Sequence, residues 1–424
     1  MSLQSDIVCN QGICVSTNPE VFVSDKPPAF RPADGSIDIN SIVLSPNELV
    51  ESFIVKFIPE FNPASFLWPV GIIVKYNYTP LYNGVNILAK LSIISKIVQQ
   101  NPIISSFYRD QTFTTQANTP AAFIYRVGAN NSSQKSGDGF GSLANRTDIN
   151  IFIVDTGIAF HSDLNIVGGV NYTTQFIGQF LDGNGHGTHV AGIAAALDND
   201  IGKVGVAPGA RLWAVKVLDD TGNGSASNII AGLNWILTNR GIKWSGTPVV
   251  NMSIGGPIYQ PLDDAVANLI ANGIPTVVAA GNEAQAASNS TPGRVATAIT
   301  VGASSPFWAY TELASFSNYG SSVTITAPGT DILSTWLGNG YAYNSGTSMS
   351  APVVAGTIAL LYSTVTIAGG NTGTFSLNVK NRIINDSSDL TPIYFDGSIG
   401  SNPRITIPPG VPATTNINVW AGAY

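Results

Sequence analysis

Charge is scarce in this chain of 424 residues: only 11% are Asp, Glu, Lys or Arg, against roughly 25% in ordinary soluble domains. Uncharged polar side chains must therefore supply most of the solubility. With 19 Lys and Arg against 26 Asp and Glu, a net charge of -7 and no basic cluster, the chain has nothing to neutralise a run of phosphates, and nucleic acid and anionic membranes are excluded as partners. Only two cysteines occur, Cys9 and Cys14, so no disulfide framework is possible. They form either one local bridge or free thiols, and a lone C-x4-C without companion ligands is no metal motif. No run of 18 apolar residues is present, and MSLQSDIVCNQGIC lacks the basic and apolar regions of a signal peptide. No membrane anchor is expected.

What is there falls into segments. Residues 1–48 are rich in Ser, Pro, Asp and Asn, without periodicity, and read as an extension. ESFIVKFIPEF and VGIIVKYNY look like strands, and NILAKLSIISKIVQQNP has apolar residues at helical spacing. They form a small α+β unit within 49–113, closed by the polar linker RDQTFTTQANTP. Over 114–398, apolar runs alternate with helical segments: INIFIV then HVAGIAAAL, RLWAVKVL then SNIIAGLNWIL, PVVNMSI then LDDAVANLIANG, then IPTVVAA and SVTITAP. That alternation predicts an α/β fold with a mostly parallel sheet covered by helices on both faces. In such sheets, chemistry collects beyond the carboxyl ends of the strands. Residues 399–424 read as a tail or edge strand.

Two strand ends and two glycine-rich turns carry reactive groups. Asp155 ends IFIVD, Asn282 follows TVVAAG, His186 lies in DGNGHGTHVAG, and Ser348 lies in GTSMSAP just before the apolar run APVVAGTIALLY. The order Asp, His, Ser matches one of the known arrangements of the nucleophile, base and acid triad. A serine at a helix start meets backbone N–H groups and the positive end of the helix dipole, which favour an oxyanion. The bland reading of each segment in isolation, a helix cap at Ser348 or a turn residue at Asn282, gives way to their combination. His189, three residues after His186, reads as a packed helix residue. H-G-T-H is not H-E-x-x-H, which rejects a metalloprotease. D-[ST]-G, the motif of aspartic proteases, occurs at Asp155 and again at Asp220, but that reading leaves the His186 and Ser348 segments unexplained. Ser350 in place of Gly, and the chain order, reject an α/β-hydrolase.

Together DTG, GHGTHVAG, AAGN and GTSMSAP resemble the subtilisin-like serine proteases, and GVAPGARLWAVKVLDDTGNG and SFSNYGSSVTITAPGTDILSTW resemble their proteinase K branch. The resemblance implies a serine endopeptidase acting through an acyl-enzyme, with Asp155, His186 and Ser348 as triad and Asn282 as oxyanion donor. It implies that polypeptide substrates bind as extended strands between Gly222-Asn223-Gly224 and Ser253-Ile254-Gly255. The S1 wall would come from Ser253-Ile254-Gly255 and Ala279-Ala280-Gly281, uncharged as far as the sequence reveals, with a broad apolar or aromatic P1 preference. Residues 49–113 resemble the family's propeptide, an intramolecular chaperone and inhibitor, with autoprocessing around 110–116. A structural Ca2+ is implied on Gln116, Asp163, Leu197, Asn199, Ile201 and Lys203, whereas Thr324 stands where proteinase K has an Asp ligand of another site. Val353 replaces a usual His, and Ala226 an aromatic of the S4 pocket. An extracellular or extracytoplasmic location follows from the same resemblance. The alternative is a non-catalytic binding protein that keeps the fold with its N-terminal domain permanently docked.

Overall fold

A computed structural model describes residues 7–10, 13–16, 49–69, 72–115, 148–174, 179–199, 201–306, 311–388 and 405–406. The chain divides into two units, residues 1–111 and 112–424. In the first, a hairpin of β1 (Ile7–Asn10) and β2 (Ile13–Ser16) sets Cys9 opposite Cys14 in register. An antiparallel sheet then forms from β3 (Glu51–Phe57), β4 (Ile73–Asn77), β5 (Gly84–Ala89) and β6 (Ile104–Arg109), in the order β4-β5-β3-β6, with α1 (Leu91–Gln100) between β5 and β6. Alternate residues Phe53, Val55 and Phe57 meet Val85 and Ile87 and the helix residues Ile93, Ile94 and Ile97 in one core, as a two-residue period facing a helical stripe requires. The helical pattern read over NILAKLSIISKIVQQNP begins too early: Asn86 to Ala89 belong to β5, whose central place between two strands outweighs local periodicity.

The second unit opens with β7 (Thr112–Thr115) and builds a nine-stranded sheet. Its strands are β8 (Ile149–Asp155), β9 (Ile166–Asn171), β10 (Arg211–Lys216), β12 (Thr247–Met252), β14 (Thr276–Ala279), β16 (Ile299–Pro306), β17 (Thr311–Leu313), β18 (Ile325–Pro328) and β21 (Ile405–Thr406). The order is β21-β17-β16-β14-β12-β8-β10-β9, with β18 on β16, and every pairing from β9 through β16 to β18 is parallel. The central strand β8 is buried along its whole length, which explains its unbroken apolar run. Helices α2 (His186–Ala195), α3 (Ala226–Thr238), α4 (Gln260–Ala271), α5 (Thr347–Thr364) and α6 (Gly373–Ser388) accompany the sheet. β8, α2 and α5 share a single large core that also takes in Val353, 4% exposed. Shorter strands β11 (Asn223–Ser225), β13 (Ile254–Pro257) and β15 (Ser290–Thr291) lie outside the main sheet, and β19 (Ile332–Trp336) pairs with β20 (Gly340–Asn344). The α/β expectation thus matches the observed architecture, although periodicity did not point to α6 or to β7, β9, β11, β13, β15, β16, β17, β19 and β20.

His189 joins α2 to the β19–β20 hairpin. Its Nε2 bonds the carbonyls of Ile332 at 3.0 Å and Ala342 at 2.9 Å, and desolvation pushes its pKa down from 6.5 to about 4. Nε2 therefore carries the proton and the ring is neutral, a packed helix residue as the sequence suggested. The unfolded chain takes up a proton near pH 6.5 and the folded chain refuses it until about pH 4. This group's stabilisation is thus lost as pH falls through that window, by about 1.4 kcal/mol per pH unit. Denaturant titrations from pH 7 to 4 should show a shallower fall in stability for His189→Gln than for the parent chain.

Candidate active site

Asp155, the last residue of β8, has no exposed surface, and His186 is 2% exposed at the start of α2. Their side chains meet at 2.8 Å, Nδ1 to Oδ1, and the same carboxylate oxygen accepts the Thr156 N–H at 2.7 Å. A carboxylate excluded from water needs such donors. Nδ1 thus carries the proton, leaving Nε2 as a base.

The entry to α2 is built for this. Gly185 takes φ 105°, a left-handed conformation that suits glycine, and a Cβ there would approach the Trp336 ring to 2.5 Å. Asp182 gathers four donors, the N–H groups of Asn184, Gly185 and Thr188 and the Thr188 hydroxyl, at 2.7 to 3.0 Å. The Gly187 N–H bonds the Thr156 hydroxyl at 2.9 Å. The two strand-end residues and the helix start are therefore one hydrogen-bonded body.

Ser348 lies in the first turn of α5, which begins at Thr347, four residues before the apolar run that signalled it. Pro352 consequently sits inside the helix rather than in its first turn. Its missing N–H would have bonded the Ser348 carbonyl four residues back. The Ser253 hydroxyl fills that place, donating to the Ser348 carbonyl at 2.8 Å, while the Ser348 hydroxyl donates to the Ser253 carbonyl at 3.1 Å. Ser348 is thereby tied to the residue linking β12 and β13. In this state His186 Nε2 is buried without a hydrogen-bond partner, and catalytic hydrogen bonds commonly tighten only on substrate binding.

Asn282 is oriented by Thr347, whose backbone N–H and hydroxyl both donate to its Oδ1, at 2.9 and 3.0 Å. Because a backbone N–H can only donate, the amide oxygen is fixed on that side and the Nδ2 donors are turned away from it, available to an oxyanion beside Ser348. Gly281 (φ 105°) donates to Thr347 Oγ1 at 3.1 Å and leaves room for Asn318 Nδ2, which a Cβ would meet at 2.3 Å. Thr347 and Asp182 were missed by the sequence reading. Their types are cap-like, but their partners are far away in sequence or offset from the usual cap position.

The segments expected to flank substrate also converge. β7 pairs antiparallel with β11 on one side (Asn223 with Thr114, Gly224 with Phe113, Ser225 with Thr112) and with β13 on the other (Ile254 with Thr115, Gly255 with Thr114). Gly222 closes the preceding turn at φ 83°, donating to the Asp219 carbonyl at 2.9 Å. A strand therefore runs between the two anticipated segments, and it is the chain's own. A cavity of about 490 Å3 opens beside it, lined by Gly255, Gly256, Ala279, Ala280 and Gly281, but also by Glu283 and Gln285. The wall is not uncharged: Glu283, held by Asn318 Nδ2 at 2.7 Å, faces it. Ala226, expected at the S4 position, is buried at the start of α3.

Of the anticipated calcium ligands, Gln116 lies outside the described residues. Asp163, Leu197, Asn199, Ile201 and Lys203 come together, but as a hydrogen-bonded knot. Asp163 Oδ1 accepts from Asn199 Nδ2 at 2.8 Å and Oδ2 from the Tyr341 hydroxyl at 3.0 Å, while the Lys203 N–H also bonds the carboxylate. Asn199 Oδ1 is taken by the Ile201 N–H at 2.9 Å. Burial raises the Asp163 pKa, and Tyr341 is pushed up to about 12 by burial and by Asp163. Among the described residues no cluster of three His, Cys, Asp or Glu could hold a metal. Hard cations need oxygen lone pairs turned to a common centre; the side-chain oxygens of Asp163 and Asn199 are spent on donors, so the side-chain part of the anticipated set does not fit Ca2+ in this arrangement. Thr324 Oγ1 accepts from the Thr300 N–H at 3.2 Å.

Two outcomes follow. Asn282→Ala should lower kcat by about 10²- to 10³-fold with little change in KM, since the donor acts on charge that develops only in the transition state. Thermal unfolding in excess chelator should leave Tm unchanged; a fall of several degrees that added Ca2+ reverses would show that a cation replaces the Asn199 and Tyr341 donors.

Comparison with known proteins agrees with this geometry. Residues 146–401 match the subtilase family, peptidase S8. The chain is 38% identical over 312 residues to an alkaline protease of Alkalihalobacillus alcalophilus, covering 72% of this chain and 74% of that one. It is 41% identical over 261 residues to subtilisin Savinase of Lederbergia lenta, covering 60% and 89%. The crystal structure of a cold-adapted subtilisin-like serine proteinase superposes with a TM-score of 0.53 at 31% identity, over 73% of this chain and 96% of that one. With the acid and base in contact at the carboxyl end of β8 and a serine opening α5, the chain belongs to the subtilase family and is a subtilisin-like serine endopeptidase.

Proposed function

We propose that this endopeptidase is made as a zymogen that cuts itself after Gln116, so that the unit read at 49–113, with the linker that ends at Gln116, serves as its intramolecular inhibitor and the catalytic domain read at 114–398 keeps the residues from Ala117 onward. The observation that carries the reading is the ladder of β7 between β11 and β13, the strand addition by which proteases hold extended peptides. Its register opposes Thr115 to Ile254. One further step would oppose the next residue to Ser253, whose carbonyl accepts from Ser348, and would set the following peptide bond beside the nucleophile. The segment that precedes the cut would then remain in the cleft as a competing product strand. Ser348 would attack the carbonyl of residue 116, His186 would take the hydroxyl proton and pass it to the leaving amine of Ala117, and water would release the acyl group.

After removal of that strand the same cleft would take other polypeptides. A cavity walled by glycine and alanine supports a preference for apolar and aromatic P1 side chains, with Glu283 at its edge adding tolerance for basic ones. The relatives named as subtilisins and an alkaline protease support a location outside the cytoplasm. No described helix is long and apolar enough to cross a membrane.

Amino-terminal sequencing of the purified chain after incubation should find a new start at Ala117, and Ser348→Ala should keep its original start. A chain that stays intact although Ser348 is present would overturn the zymogen reading and leave the N-terminal unit a permanent domain.

A further inference from the structure

The segment KVLDD contributes nothing to the triad by sequence, yet Lys216 is among the most deeply buried large side chains in the chain, with no exposed surface. It ends β10 opposite Asp155 in the parallel register. Its Nζ donates to two oxygens, the Thr156 carbonyl at 2.6 Å and Asp220 Oδ1 at 2.7 Å. An ammonium taken out of water is costly unless it is paired and hydrogen-bonded, and an apolar side chain of the same size would fill the space without that cost. The two oxygens explain what the charge secures.

Thr156 is the hinge of the site. Its N–H donates to the Asp155 carboxylate and its hydroxyl accepts from Gly187, the residue after the base. Asp220 belongs to the turn that leads into the substrate strand β11, where the Asp219 N–H bonds the Asn223 carbonyl at 2.7 Å. Asp220 also abuts the loop before His186: a Cβ on Gly183 would approach its carboxylate to 2.4 Å, and Asn184 Nδ2 donates to its carbonyl at 3.2 Å.

We propose that Lys216 is a positioning residue for this reaction, its buried ammonium clamping Thr156 on one side and Asp220 on the other. The clamp fixes the Asp155–His186 contact and ties it to the strand that holds the substrate. Lys216 touches no reacting atom. It acts through the Thr156 carbonyl, anchoring from the following peptide unit the residue whose own N–H holds the Asp155 carboxylate, and through Asp220, which keeps the turn of β11 against the loop before His186. A strong charge-assisted bond at each end suits that task better than a neutral one.

The test uses the full chain incubated to constant activity, a small peptide amide as substrate, and proton NMR of the hydrogen between His186 Nδ1 and Asp155. Lys216→Met should lower kcat by about 10- to 100-fold with KM nearly constant, as losses of supporting contacts behind reacting groups do. The low-field resonance should move or broaden. Asp220→Asn, at a partly exposed position, should lower kcat less and raise KM, because it loosens the turn of β11 while leaving the Thr156 contact. If Lys216→Met does not fold, the Asp220→Asn resonance and its kcat to KM split decide. Variants that melt at lower temperature yet keep kcat within about twofold and an unmoved resonance would reduce the pair to a structural ion pair and overturn the proposal.

Discussion

Everything at this site depends on a carboxylate that water cannot reach. Asp155 sits at the end of a strand buried on both faces, and it stays there because Thr156 and His186 both donate to one of its oxygens. That contact fixes the histidine tautomer, and with it which ring nitrogen can act as a base. The rest of the site reads as support for the pair. Gly185 and Asp182 aim the start of α2, Gly187 locks that helix to Thr156, and the parallel sheet brings the ends of β8, β12 and β14 to one edge, where Ser253 and Asn282 are met by the first turn of α5.

A second dependence runs through the proline. Pro352 in the interior of α5 removes one helix hydrogen bond, a cost of about 3 kcal/mol in an isolated helix. Here the carbonyl so released belongs to the nucleophile, and Ser253 satisfies it while receiving the Ser348 hydroxyl in return. The defect in the helix thereby becomes the link between Ser348 and the strand β13, whose Gly255 lines the cavity. Thr347, next door, holds the amide of Asn282 in one orientation.

Much of this was legible in the sequence, and the physical reasons for what was not are specific. The strands of the parallel sheet announced themselves as unbroken apolar runs, and the four reactive residues by glycine-rich turns at strand ends. The start of α5 was misjudged because Gly-Thr-Ser carries no apolar periodicity, and β5 because a strand buried between two others can share the composition of a helix. Glu283 was invisible as a pocket residue, since the turn that brings it to the cavity depends on Asn318, 35 residues further on. The anticipated calcium ligands did converge, but sequence spacing could not reveal that Tyr341 and Asn199 would occupy the Asp163 oxygens. Nor could it show that the linker would be a strand in the cleft, which is a matter of long-range pairing.

The central claim is that Ser348 becomes a nucleophile because Asp155 and His186 are assembled beside it. It is tested most directly by incubating the chain with a fluorophosphonate and locating the adduct by peptide mass spectrometry. The account predicts a single phosphonylated residue, Ser348, with labelling abolished in His186→Ala although the serine is still present. Labelling that persists in His186→Ala at an undiminished rate, or an adduct on another serine, would contradict it.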